Sequence, residues 1–141
     1  DSPRSWTWAW RASLCARFLD GEKAYEMIRG MMRHSMMDSL FTTHPPMQVD
    51  GTMGIVAGYA EMLLESSTGR LHLLPALPEA WKNGSVRGLK ARGNITVDMD
   101  WKDGRVTQLR LSSPMAQSVR VAANGTEKTY ELTPETPVRG S

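Results

Sequence analysis

The sequence predicts an α-then-β chain, helices first and antiparallel strands after. Apolar residues recur at helical intervals up to about residue 65, and beyond Gly69 they alternate with period two. Helices and strands are segregated along the chain, with no alternating βαβ series to call for a parallel sheet. At 141 residues and 40% hydrophobic content, the chain can bury a core in one domain or two small ones. The expected division is a helical part over residues 1–69 and a β part over 70–141.

From Ser5 to Leu19, Trp6, Trp10, Leu14 and Phe18 recur every fourth residue beside Ala9, Ala12 and Ala16. That spacing predicts a helix with a wide apolar stripe. Trp8 falls on the far side from Trp6 and Trp10 and needs a separate explanation. Asp20-Gly21 breaks this helix. A second, from about Glu22 to Met37, sets Ala24, Ile28, Met31 and Met32 on one side, and so short a connection predicts antiparallel pairing of the two. The paired prolines in Phe41–Gly51 forbid continued helix and predict a structured loop. A third helix is expected from about Thr52 to Glu65, with Ile55, Tyr59, Met62 and Leu63 on one face and a stop at Ser66–Gly69.

Leu71–Leu74, closed by Pro75 and Pro78, reads as a strand. In Asn94–Trp101, Ile95, Val97, Met99 and Trp101 alternate with polar residues, which predicts a half-buried strand. Lys102–Arg105 supplies a turn, and Val106–Leu111 returns with Thr107, Leu109 and Leu111 on one side. A second hairpin is expected around Asn124-Gly125, from Val119 and Val121 to Tyr130 and Leu132. Thr133–Ser141, polar and proline-containing, reads as a loose tail.

Lys and Arg number 17 against 15 Asp and Glu and are scattered singly, so nothing points to nucleic acid. No run approaches the roughly 20 apolar residues of a membrane span. The first residues lack the order of an export signal, and the abrupt Trp-rich start suggests further sequence upstream. Cys15 is alone, so it forms neither a disulfide within the chain nor a zinc site, and it reads as a small buried residue. His34 and His72 have no partner at metal-ligand spacing, and no metal or cofactor is expected.

Asp50, between the proline loop and a helix start with Gly51 beside it, reads in two ways. It is either a helix cap or a carboxylate held at a cavity edge. His44 can pack within the loop or offer its imidazole to a sugar hydroxyl, and Gln48 can grip a hydroxyl or tie the loop to its own backbone. Glu61, on the third helix, reads as a structural carboxylate rather than an acid catalyst. The methionines of the second helix read as packing between helices.

The segment Thr43-His44-Pro45-Pro46-Met47-Gln48-Val49-Asp50-Gly51-Thr52-Met53-Gly54 resembles the His-Pro-Pro-x-Gln-x-Asp-Gly-x-x-Gly stretch of glycoside hydrolase family 95. Similarity continues upstream through Trp6–Arg11 and Asp20–Glu22, and downstream through Ala60–Leu64 and Leu73–Pro78. The resemblance implies that residues 1–69 are the last helices of an (α/α)6 catalytic barrel and that 70–141 are a small antiparallel β-sandwich domain. It further implies inverting hydrolysis of terminal α-linked L-fucose or L-galactose. Asp50 would be the catalytic base-side carboxylate, His44 and Gln48 sugar contacts, and the acidic Glu and water-activating asparagines would lie upstream. The fragment alone is then expected to be inactive, with the stripe around Trp6, Trp10 and Phe18 partly exposed. Its partners would be a fucosylated glycan and the upstream remainder of the enzyme, and the resemblance suggests secretion or periplasmic export. Where the family commonly has Asn-Phe after the Asp-Gly, this chain has Thr52 and Met53, a difference that bears on the sugar pocket.

The competing reading is a non-catalytic sugar-binding or structural sandwich with a helical arm. It would require Trp81 or Trp101 as an exposed platform, and the alternation around Trp101 places that ring on the buried face.

Overall fold

A computed structural model describes residues 4–43, 46–134 and 136–140. Among the described residues, three α-helices, α1 (Ser5–Arg17), α2 (Gly21–His34) and α3 (Val49–Leu63), precede eight strands. The chain divides into two compact units. One comprises Asp1–Leu63 and Pro75–Pro78, the other Leu64–Leu74 and Glu79–Ser141. Among the described residues, no helix is long and apolar enough to cross a membrane.

In the helical unit, α1 ends in a Schellman arrangement. Asp20 donates its N–H to the Cys15 carbonyl at 3.0 Å and Leu19 donates to Ala16 at 2.9 Å, with Leu19 at φ 62°. A leucine in this region costs about 1–2 kcal/mol. Asp20 then caps α2, its Oδ1 accepting the Lys23 N–H at 2.9 Å. Trp8, near the start of α1, stacks on His34 near the end of α2, with ring centroids 6.3 Å apart, and it also lies against Gly30. The expected antiparallel pair is therefore present, and Trp8 has its explanation.

Trp6, Trp10 and Phe18 are 44%, 57% and 80% exposed, as expected of the stripe in this chain alone, while α1 buries Ser5, Ala9, Ala12 and Ala16. The reason lies in α3, whose Gly51, Gly54 and Gly58 sit against Ser5, Ala9 and Ala12 in turn. Small residues on both helices let the backbones approach closely, and the large rings cannot share that seam. In α2 the buried set is Gly21, Ala24, Met27, Ile28 and Met31, whereas Met32 is exposed, and the helix stops at His34 rather than Met37. α3 starts earlier than expected, at Val49, and the chain passes from Leu63 directly into β1 (Leu64–Ser67), so residues read as a helix end are a strand.

In the β unit, β1, β2 (Arg70–Leu73), β6 (Gln117–Ala123) and β7 (Thr126–Leu132) form one four-stranded sheet in that order. The other contains β3 (Gly84–Ala91), β4 (Ile95–Lys102), β5 (Arg105–Ser112) and β8 (Val138–Gly140), also in that order. Every pairing is antiparallel except β2 with β6, which are parallel. Between them the chain leaves to build β3–β5 in the other sheet, and a connection that long permits parallel return. The core draws Leu71, Leu73, Val119, Val121 and Leu132 from one sheet and Ile95, Val97, Met99, Trp101, Val106, Leu109 and Leu111 from the other.

Alternation in β4 is as expected, and two hairpins close on two-residue turns. Asp103 and Gly104 have φ of 50° and 72°, Asn124 and Gly125 of 54° and 78°. Positive φ at both positions is the type I′ geometry that matches strand twist. In β5, however, Trp101 pairs with Val106 and Asp100 with Gln108, so Thr107 is an extra, bulged residue. Val106 therefore faces the core and Thr107 solvent, contrary to the simple alternation. The expected loose tail is also corrected, since Val138–Gly140 pairs with β5 and satisfies an otherwise open edge. Trp101 is 7% exposed and donates its Nε1–H to the Trp81 carbonyl at 2.7 Å, so it offers no sugar platform.

Candidate functional site

The proline loop is held at its neck. Gln48 donates its N–H to the Thr42 carbonyl at 3.0 Å, Thr43 bridges Met47, and the Thr43 N–H reaches the Ser35 carbonyl at 2.8 Å. Thr42 is fully buried. Its hydroxyl donates to the Gln48 carbonyl at 2.7 Å, and its N–H donates to Thr52 Oγ1 at 3.0 Å. The two threonine hydroxyls are 3.0 Å apart, and Thr52 also reaches the Gln48 carbonyl at 3.2 Å. Loop neck and first turn of α3 are thus one hydrogen-bonded block.

Asp50 lies inside that first turn, with its side chain exposed to solvent. Its Oδ1 accepts the N–H of Gly51 at 2.9 Å, and Oδ2 has no protein partner among the described residues. The Gly51 N–H is one of the donors that a helix start leaves unpaired, and a carboxylate there is favoured by the helix dipole. α3 begins at Val49, so Asp50 is its second residue and not a cap preceding the helix, and its Oδ1 is nonetheless tied to a main-chain amide of that turn. Gln48 Oε1 accepts from the buried Ser5 hydroxyl at 3.1 Å, and its Nε2 has no protein partner among the described residues. The Gln48 side chain is therefore tied to α1 through Ser5 and not, as one reading of the sequence had it, to the backbone of its own loop. His44 lies outside the described residues.

Ser5, Thr42 and Thr52 were not singled out as site residues from sequence. The signal was present in part, because Ser5, Ala9 and Ala12, at intervals of four and three, and Gly51, Gly54 and Gly58, at intervals of three and four, both set small residues along one helix face. Glu61 is held in a two-point ion pair, Arg17 Nε to Oε2 at 2.8 Å and Nη2 to Oε1 at 2.9 Å, which suits a structural role. Among the described residues, no group of three His, Cys, Asp or Glu is placed to hold a metal ion.

Residues 1–63 match the model of the glycosyl hydrolase family 95 catalytic domain, and residues 65–138 match that of the glycoside hydrolase family 95 C-terminal domain. This chain belongs to glycoside hydrolase family 95. It is 38% identical over 141 aligned residues to alpha-L-fucosidase 2 of Arabidopsis thaliana, covering 92% of this chain and 17% of that relative. It is 29% identical over 120 residues to probable alpha-fucosidase A of Aspergillus niger, covering 75% of the chain and 15% of the relative. The corresponding protein of Aspergillus oryzae is 27% identical over 133 residues, covering 82% and 18%. The family 95 chain thus spans less than a fifth of the length of these curated relatives, and Asp50 and Gln48 fall within the part that matches the catalytic domain.

Elsewhere in this family 95 chain, His72 Nδ1 lies 3.5 Å from Glu65 across the β1–β2 pair, a structural placement. Cys15 is half-buried. Burial first, and then the nearby Asp20 carboxylate, push its thiol above the ordinary range, with Lys23 opposing. A raised pKa leaves less thiolate at a given pH, and thiolate is the reactive form. Alkylation of Cys15 by iodoacetamide at pH 8 is accordingly expected to run several-fold slower than that of free cysteine; an equal rate in mass-spectrometric time courses would contradict this environment.

Proposed function

We propose that this chain is the carboxyl-terminal part of an inverting glycoside hydrolase that removes terminal α-L-fucosyl, or the closely similar α-L-galactosyl, residues from glycans. The observation that carries the reading is the Asp50 carboxylate. It is solvent-facing in the first turn of α3, with one oxygen oriented by Gly51 and the other open among the described residues. The names of the relatives, all fucosidases, support the sugar.

In an inverting mechanism one carboxylic acid protonates the leaving oxygen while a carboxylate on the opposite side of the sugar draws a proton from the attacking water. The two stand roughly 6.5–9.5 Å apart. Asp50 takes the base side, and Gln48 Nε2 and His44 are the sugar contacts. The acid is assigned to the part of the enzyme outside this chain, as the family resemblance implies, and the Arg17 ion pair suits Glu61 to a structural role instead. The chain alone is therefore expected to be inactive.

The test is hydrolysis of aryl α-L-fucoside and aryl α-L-galactoside by the complete enzyme, with the first-formed sugar followed by proton NMR. The β-anomer should appear first. Initial release of the α-anomer would overturn the inverting assignment, and failure to cleave either glycoside would overturn the sugar assignment.

A further inference from the structure

We infer that Thr42 is a positioning residue for the base-side carboxylate, acting through the first turn of α3; this rests on the reading of Asp50 given above. Every hydrogen-bonding group of Thr42 is spent on the two residues that bracket Asp50. Its hydroxyl donates to the Gln48 carbonyl, its carbonyl accepts the Gln48 N–H, and its own N–H donates to Thr52 Oγ1. Gln48 lies two residues before Asp50 and Thr52 two after. Between Asp50 and Thr52 stands Gly51. A Cβ there would meet Thr42 Oγ1 at 2.8 Å and would run into the Ser5 side chain, so the backbone that carries Asp50 rests directly on these two buried hydroxyls.

The same Gly51 supplies the N–H that orients Asp50 Oδ1. Thr42 thus reaches the carboxylate through one rigid relay, from buried hydroxyl to Gln48 and Thr52, from these to the Gly51 backbone, and from Gly51 to Asp50. A base that must meet a water held against the sugar tolerates little displacement. Misplacement by about 1 Å can cost about a hundredfold in rate. The Ser5 hydroxyl extends the block to the Gln48 side chain, since its bond to Oε1 leaves Nε2 directed away from that contact.

Thr42→Val keeps the shape of the side chain and removes the hydroxyl. In the complete enzyme it is expected to lower kcat by about tenfold to a hundredfold, to change KM much less, and to leave a cooperative thermal transition. Thr42→Ser, which restores the hydroxyl, should recover most of kcat. Wild-type kcat in a folded Thr42→Val enzyme, or a Thr42→Ser enzyme as impaired as Thr42→Val, would overturn the inference. If Thr42→Val does not accumulate as folded protein, Thr52→Val reads the same relay from the half-buried side. There a tenfold or greater fall in kcat supports it and an unchanged kcat overturns it. Asp50→Asn measured in parallel separates the two levels. Full activity of Asp50→Asn removes the catalytic reading itself, whereas an inactive Asp50→Asn beside an unimpaired Thr42→Val removes only the positioning role.

Discussion

In the complete enzyme, Asp50→Asn is expected to lower kcat by about 10²- to 10⁴-fold, the usual contribution of a positioned general base. Asparagine has nearly the same shape, and its Oδ1 can still accept the Gly51 N–H, so the geometry of the first turn survives. What disappears is the capacity of the second oxygen to take a proton from water. Stability should respond little. The exposed carboxylate at the start of α3 contributes only about 0.3–1 kcal/mol through the helix dipole. A large rate loss with a nearly unchanged melting temperature separates a catalytic carboxylate from a helix cap, because loss of a cap would do the reverse. Steady-state kinetics alongside thermal melting make the comparison, and unchanged turnover would remove Asp50 from the mechanism.

The sequence was informative wherever side-chain alternation or turn chemistry alone decides the structure. Ile95, Val97, Met99 and Trp101 are buried on one face of β4 as their spacing requires, and Asp103-Gly104 and Asn124-Gly125 make the two-residue turns their composition favours. It misled where tertiary partners decide. Thr107 looked like a core position until the bulge opposite Asp100 and Trp101 shifted the face by one residue. Val138–Gly140 looked loose because a short edge strand has little pattern of its own and exists only by pairing with β5. The tryptophan stripe of α1 is exposed as expected of this chain alone, but small residues along one face do not by themselves mark the inner seam, which the contact with α3 decides.

The site divides the same way. Asp50 and Gln48 stood out because they flank a proline loop and a glycine, and polar residues in such a setting carry chemistry. Thr42 did not, because nothing in Phe41-Thr42-Thr43 distinguishes a hydroxyl that is fully buried and bonded from one facing solvent. Its role depends on α3 folding back so that Thr52 and Gly51 lie beside it, a relation between residues ten apart that no local period encodes.

Gly21 teaches the same lesson with a larger expected effect on stability. Its place after Asp20 suggests a helix breaker, but the left-handed residue at the end of α1 is Leu19, and Gly21 is the first residue of α2. By helix propensity alone, Gly21→Ala should be neutral or stabilising, since glycine is about 1 kcal/mol worse than alanine within a helix. The contact reverses the sign. A Cβ at Gly21 would lie 2.6 Å from the Ala76 carbonyl oxygen, 2.7 Å from its carbon and 2.8 Å from the Leu77 carbonyl carbon, all of them main chain. The Pro75–Pro78 segment cannot easily yield, because Ala76 and Pro78 are buried and the Ala76 N–H is bonded to the Met62 carbonyl at 3.2 Å. Gly21→Ala is therefore expected to destabilise the helical unit by about 1–3 kcal/mol, the range for overpacking a close contact. Gly54→Ala is the comparison, since its added methyl meets only the Ala9 Cβ at 3.1 Å, and it should cost less. Denaturant melts of the two variants decide the point. If Gly21→Ala were as stable as the parent, the backbone of Pro75–Pro78 would not lie against the start of α2, and glycine there would be serving only as a break between helices.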